Sequence, residues 1–382
     1  MESKDSLSKR YYRPELDIVR FLAFLLVFLD HTVPNSPDPR VASVLRGFAP
    51  MFYASAGACR FGLSLFFTLS AFLISELLLR EREATGAVRV KQFYIRRILR
   101  IWPLYYLAVS IGVVVALLPG DHRGELVQMG WFAIFMGSCY SLIRGGTATP
   151  MGQLWSISVE EQFYLFAPWV VKLFNRRVLY VFCLILILIA NGWLYHLGRV
   201  FANDLRVWTN PFVQFQCFAA GILLSLFVRG QVLRTTYWQR LLLLVCAWSC
   251  WFYASHNLHF RFRNGSDNPG SLALIGAYAL GTVGCVLLLL AFLNVDQKLL
   301  PRWAIYLGRI SYGLYVFHEL SLYLVTHIIF GHISSFASPL YFLKAILTLG
   351  LNVIIAIVCY RYFETPFLRM KRRYTVIQSQ PV

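Results

Sequence analysis

Residues 15–34 read ELDIVRFLAFLLVFLDHTVP. A membrane-crossing helix needs about 20 mainly apolar residues, and by composition most of this stretch is one. Yet it carries Asp17, Arg20, Asp30 and His31. An ionisable group inside a bilayer costs at least about 2.5–3.5 kcal/mol on insertion scales, and it persists where it faces a partner, a water-filled cavity or a site. The first span therefore reads as part of a site for chemistry or transport rather than as an inert anchor. Basic residues precede it, as in a signal peptide. The charges within the apolar run, and the lack of a small-x-small cleavage pattern after it, predict that it is retained.

The rest of the chain has the same character. Of 382 residues, 58% are hydrophobic and only 14% charged, where a soluble domain carries roughly 25% charged residues. Repeated apolar runs, with no Pro/Ser-rich linker and no long polar stretch, predict one polytopic membrane domain over residues 16–368. Short cytoplasmic tails are expected at 1–15 and 369–382. The eight cysteines lie mostly in apolar runs without a CxxC pair, and read as small buried residues.

Candidate spans lie near 16–34, 61–79, 98–118, 126–143, 153–171, 178–197, 211–228, 239–256, 271–293, 305–329 and 341–362. The stretch 126–143 is the weakest, with Gln128, Gly130, Gly137, Ser138 and Ser141. Basic residues gather on the cytoplasmic side of membrane proteins. If 126–143 does not cross and the N-terminus is inside, 24 of the 36 Lys and Arg fall on inner segments and 10 on outer ones. Arg20 and Arg309 then lie within spans. If 126–143 does cross, every later loop flips and the bias largely disappears. The expected fold is thus an all-α bundle of ten spans, both termini cytoplasmic, with 126–143 re-entrant or lying on the outer surface. Backbone of that kind needs cover from protein or water. On this topology the net charge of +18 is mostly positional and calls for no nucleic acid.

Four further clusters carry chemistry. Arg20 and His31 are eleven residues apart, so they share a helix face about 16 Å apart along the axis. An imidazole there suits general-base work. Arg96, Arg97 and Arg100, spaced by three and four, are expected to crowd one face at the cytoplasmic mouth of the third span. Converging guanidiniums suit phosphate, and ordinary positive-inside anchoring is the alternative. Pro103 just beyond them could kink the helix and open a cavity. In Leu154-Trp-Ser-Ile-Ser-Val-Glu-Glu-Gln-Phe-Tyr164, two adjacent carboxylates enter an apolar run; Ser156, Glu160 and Tyr164 share one face and Glu161 points about 100° away. The ten-span topology puts these carboxylates near the depth of His31. His318 and Glu319 fall mid-span, as cavity lining or as a helix–helix lock. Glu364 reads as a structural partner for an arginine. There is no Walker loop, GxGxxG, HExxH or GxSxG, so ATP-driven transport and metalloprotease chemistry find no support.

Taken in order, these motifs resemble the acyltransferase family 3 membrane proteins of bacteria. Glu15-Leu-Asp…Arg20…His31 is similar to that family's arginine-ten-residues-histidine signature. Phe66-Phe-Thr-Leu-Ser-Ala-Phe-Leu-Ile74 resembles its second-helix pattern, and Phe93…Arg96-Arg97…Arg100-Ile-Trp-Pro103 its basic motif. Trp155-Ser-Ile-Ser-Val-Glu-Glu-Gln-Phe-Tyr164 is close to its most specific string. Ser311-Tyr-Gly-Leu-Tyr-Val-Phe-His318 and Phe363-Glu-Thr-Pro366 complete the series. Asp30 before the histidine and Ala71 in place of a frequent glycine are departures. The resemblance implies transfer of an acyl group, usually acetyl, from acyl-CoA to a hydroxyl. Acceptors are commonly sugars of surface polysaccharide, lipopolysaccharide, peptidoglycan or secreted glycoconjugates, and some members modify small molecules. Many members carry a fused extracytoplasmic hydrolase-like domain; a stand-alone member is expected here.

The expected mechanism places the CoA phosphates on Arg97 and Arg100, assisted by Arg96. The pantetheine arm passes Arg20 toward His31, its reach of roughly 15–20 Å matching half a bilayer of about 30 Å. His31 takes the acceptor's proton, and Glu160 or Glu161 orients His31 or binds the sugar. Asp30, Trp155, Ser156, Tyr164 and His318 are expected to contact substrate or line the cavity. An acyl-enzyme on Ser156 or Ser158 lacks an adjacent base. No tightly bound cofactor and no metal are expected; the partners are acyl-CoA, a glycan or glycolipid, and the lipids of a bacterial inner membrane. The competing class is a transporter or flippase for an anion or lipid-linked sugar.

Overall fold

The computed structural model describes residues 11–34, 43, 45–117, 123–145, 149–200, 205–229, 235–260, 270–330, 339–375 and 377. Most of the two expected tails lies outside these residues. Among the described residues every regular element is helical and none is a strand. In chain order the main helices are α1 (Pro14–Thr32), α2 (Ala49–Ala58), α3 (Phe61–Thr85), α4 (Val90–Ala116), α5 (Arg123–Ala133), α6 (Gly137–Arg144), α7 (Leu154–Leu173) and α8 (Arg176–Val200). They continue with α9 (Pro211–Val228), α10 (Tyr237–His256), α11 (Ser271–Phe292), α12 (Arg302–Arg309), α13 (Ser311–Leu324), α14 (Pro339–Val358) and α15 (Thr365–Lys371). Single π turns, Val325–Phe330 and Cys359–Glu364, extend α13 and α14.

Among the described residues seven helical stretches are long and apolar enough to cross a bilayer: Arg46–Thr85, Val90–Ala116, Arg176–Val200, Pro211–Val228, Ser271–Phe292, Ser311–Phe330 and Tyr341–Tyr374. Helices α1, α7 and α10 have 19, 20 and 20 residues, or about 30 Å each at 1.5 Å per residue, but carry more polar side chains. Large apolar residues face outward on several helices, among them Leu184 and Leu188 on α8, Leu242 and Val245 on α10, and Ile346 and Ile354 on α14. Such a belt would be an aggregation surface in water and is the expected surface in lipid. The molecule is an integral membrane protein.

The stretch predicted as the weakest span is two short helices, of 11 and 8 residues. They meet at Phe135, whose φ of 57° breaks the helix. Tyr105 and Tyr106 of α4 donate to the carbonyls of Phe132 and Ala133, and Gln162 of α7 donates to that of Phe135. The polar side chains that weakened this segment as a lipid-facing span are thus folded against α4 and α7.

Chain direction supports this. Arg82, near the end of α3, donates to the carbonyls of Val171 and Phe174 at the end of α7. The chain between α4 and α7 therefore leaves and rejoins at the far end of the bundle. Arg229 pairs with Glu83, Arg240 donates to the carbonyls of Ala291, Leu293 and Asn294, and Arg13 donates to Asn294. The ends that the charge pattern assigned to one side come together at one end.

The predicted span 305–329 is interrupted. Helix α12 stops at Arg309 and α13 begins at Ser311. Gly308 lies where a Cβ would meet the Asp17 backbone at under 3 Å, so α12 rides directly over the start of α1. Arg309 reaches Tyr12 (3.1 Å) from the end of that short helix. At the centre, Gly221 of α9 allows equally close contact with the Thr68 carbonyl of α3, the small-residue packing that holds helices together where lipid supplies no hydrophobic drive.

Candidate active site

Two cavities lie toward opposite ends of α1. The first is lined by Asp17 and Arg20 of α1, Ser70 of α3, Arg97 and Arg100 of α4, Ser156, Glu160 and Tyr164 of α7, and Lys371 of α15. The second is lined by Asp30 and His31 of α1, Arg60, Gln153, Trp155 and Trp208, and Glu319 of α13. Arg20 and His31 share a face and stand at separate stations, as their spacing requires.

In the first cavity Arg20 pairs with the buried Asp17 one turn earlier. Arg97 lies over the rings of Phe93 and Tyr164, 5.6 and 5.2 Å from their centroids. Among the described residues neither Arg97 nor Arg100 makes an ion pair or hydrogen bond, and none of their nitrogens is sealed from the cavity. Guanidiniums held together without a direct ion pair favour an anionic ligand, with forks suited to phosphate. Arg96 points elsewhere. It is tied to Glu81 (2.9 Å) and to the Tyr374 carbonyl (2.9 Å) and lines neither cavity. Arg96 and Arg97 project about 100° apart on the helix, and only Arg97 shares the cavity with Arg100.

Glu160 belongs to this cavity too, among Ser70, Tyr164 and Arg97. The Tyr164 hydroxyl meets Ser70 at 2.6 Å. Glu161 accepts from the Trp102 indole at 3.2 Å and lines neither cavity. The expectation that one of these carboxylates holds His31 is therefore corrected, because neither contacts it.

The carboxylate on His31 is Glu319, with Nε2 and Oε1 at 3.2 Å. His31 Nδ1 faces the Val27 carbonyl at 2.8 Å. A carbonyl only accepts, so Nδ1 carries a hydrogen; the Glu319 carboxylate also only accepts, so its contact is a hydrogen bond when Nε2 is protonated, and Nε2 is the nitrogen that gains and loses the proton. Once Nε2 is protonated, Glu319 stands where it stabilises the imidazolium. The Gln153 backbone N–H, at 3.4 Å, supports Glu319, while the Gln153 side chain donates to the Val316 carbonyl at 2.5 Å. Asp30 pairs with Arg60 at 3.3 Å.

His318 lies behind this pair rather than on a cavity wall. Its ring is 5.0 Å from that of His31, and its Nδ1 faces the Tyr315 carbonyl at 2.6 Å. One donor atom each from His31, His318 and Glu319 lies within 4.8 Å of the other two, near enough to share a cation. The His31–Glu319 contact already engages two of the three. Trp155 lines the second cavity edge-on to Trp208. Ser156 lines the first and meets the Tyr315 hydroxyl at 2.6 Å. Ser158 donates to the Leu154 carbonyl at 3.2 Å, so neither serine has a basic partner. Glu364 makes no ion pair among the described residues, and its Oε1 is buried without a hydrogen bond.

The sequence did not single out Arg60, Gln153, Tyr315 or Lys371. A buried arginine within an apolar stretch was the available signal for Arg60, and a carboxylate mid-span the signal for Glu319.

The sequence family described as an acyltransferase domain matches residues 13–361. The chain belongs to that family. It is similar to Peptidoglycan O-acetyltransferase OatA of Listeria monocytogenes, with 24% identity over 94% of this chain and 56% of the relative. A Staphylococcus aureus protein (strain COL) named as a putative O-acetyltransferase is 24% identical over 80% of this chain and 52% of its own length. Regulator of hypoxia-inducible factor 1 of Caenorhabditis elegans is 28% identical over 45% of this chain and 37% of its own length. The chain spans about half the length of the two O-acetyltransferase relatives. No solved structure matches it.

Proposed function

We propose that this protein is a membrane O-acyltransferase that moves an acyl group, acetyl by preference, from cytoplasmic acyl-CoA to a hydroxyl of a cell-envelope glycan or glycolipid. The observation that carries this reading is the division of α1 between two cavities. One holds two arginines that make no ion pair among the described residues, and the other holds an imidazole backed by a carboxylate. The names of the relatives support acetyl as the group and an envelope glycan as the acceptor. The charge pattern supports ten spans in a bacterial inner membrane, with both termini cytoplasmic and the α5–α6 segment on the outer side.

In this mechanism the CoA phosphates dock on Arg97 and Arg100, with Arg20 and Lys371 completing the positive wall. The thioester arm extends along α1 toward His31. The acceptor hydroxyl enters beside Asp30 and Trp155, and its oxygen attacks the thioester carbonyl. The hydroxyl proton moves to His31 Nε2, where Glu319 stabilises the imidazolium; the C–S bond breaks, and the same proton then passes from Nε2 to the leaving CoA thiolate. General-base assistance of this kind contributes about 10²–10⁴-fold.

Membranes containing wild-type protein or His31→Ala, given radiolabelled acetyl-CoA and the host's own glycans, test this. Label in an alkali-labile product from wild type alone is the expected result. Equal label in both removes His31 as the base. Label in neither, across several acyl donors and acceptors, favours a transporter of an anionic or lipid-linked substrate.

A further inference from the structure

The two cavities share only two lining residues, Leu63 of α3 and Tyr315 of α13. Tyr315 is nearly buried, and its hydroxyl is held by Ser156 at 2.6 Å and faces the Gln153 carbonyl at 3.4 Å. Its ring packs edge-on to Phe66 with centroids 5.6 Å apart. The ring, latched at its tip by Ser156 and packed against Phe66, lies with Leu63 where the two cavities adjoin.

Resting on the acyl-transfer reading above, we propose that Tyr315 is the partition between donor and acceptor cavities and sets the width of the acyl group that can be transferred. The end of the thioester arm is an unbranched chain. An acetyl group is no wider than the arm that carries it, so a passage that admits the arm admits acetyl. A group branched next to the carbonyl, such as isobutyryl, is wider than the arm and meets the Tyr315 ring. Swinging the ring aside breaks its hydrogen bond to Ser156, so the passage opens only as far as the arm requires. This also keeps two water-accessible spaces on opposite sides of a membrane from joining when no donor is bound.

The test compares acetyl-CoA with isobutyryl-CoA as donors for the full chain in membranes, in wild type, Tyr315→Phe and Tyr315→Ala, with His31→Ala as the blank. Wild type is expected to prefer acetyl. Tyr315→Phe loses the latch but keeps the ring, and should retain that preference. Tyr315→Ala should lower the acetyl-to-isobutyryl ratio of kcat/KM by about tenfold or more, the scale on which a pocket discriminates small apolar groups. If Tyr315→Ala does not fold, Leu63→Ala opens the same wall and the same fall is expected. An unchanged ratio in the folded variants, with acetyl transfer intact, overturns the partition and leaves the acyltransferase reading standing. No His31-dependent transfer in wild type overturns that reading and the partition with it.

Discussion

The arginine cavity and the histidine cavity treat charge in opposite ways. In the first, Arg97 and Arg100 line the cavity and make no ion pair among the described residues, though Asp17 and Glu160 share its wall. In the second, every charged wall residue has a partner: His31 with Glu319, and Asp30 with Arg60. Unpaired charge that is still accessible can be repaid by a ligand. Paired charge at a half-buried site fixes geometry, because removing one partner strands the other. On the proposed mechanism one cavity captures the donor, and the other holds the base in place.

Substitutions sharpen this contrast in order of size. His31→Ala should reduce transfer by about 10²–10⁴-fold, the usual worth of a general base, with donor affinity kept; the check is kcat beside acyl-CoA binding. Arg97→Ala and Arg100→Ala should each raise the donor KM by about 10–100-fold, the scale of a hydrogen bond to a charged group at 1.5–3 kcal/mol. An acyl-pantetheine donor without phosphates should show no such penalty. Glu319→Gln keeps the contact but removes the charge, so kcat should fall by about tenfold, as expected for a loss near 1.4 kcal/mol, at unchanged donor KM. Arg96→Ala should leave donor KM within about twofold and instead lower thermal stability. It cuts the Glu81 and Tyr374 contacts, and a broken buried pair destabilises.

Much of this was legible in the sequence, and the reason lies in local spacing. The charges of α1, the arginines of α4 and the polar string at 154–164 are each read within one helix, where 3.6-residue periodicity fixes which side chains align. Positive-residue counting marked 126–143 as different from its neighbours, and the structure has two short helices, α5 and α6, there instead of one long one. What the sequence left open depends on contacts between helices. Glu319 meets His31 from 288 positions away, and nothing in either helix announces the pairing. Arg96 looked equivalent to Arg97 by spacing to Arg100, and contacts with Glu81 of α3 and the Tyr374 carbonyl hold it aside. The break at Ile310 falls just after Gly308 meets the Asp17 backbone, a crossing invisible to hydropathy.

The central claim is that capture and chemistry occupy different ends of α1. Equilibrium binding of acetyl-CoA to detergent-purified His31→Ala, set beside the Arg97→Ala/Arg100→Ala double variant, tests it most directly. The account predicts wild-type affinity for the histidine variant and at least about a hundredfold weaker binding for the double arginine variant, from two charge-assisted contacts. Weak binding by the histidine variant with undiminished binding by the arginine variant would contradict it.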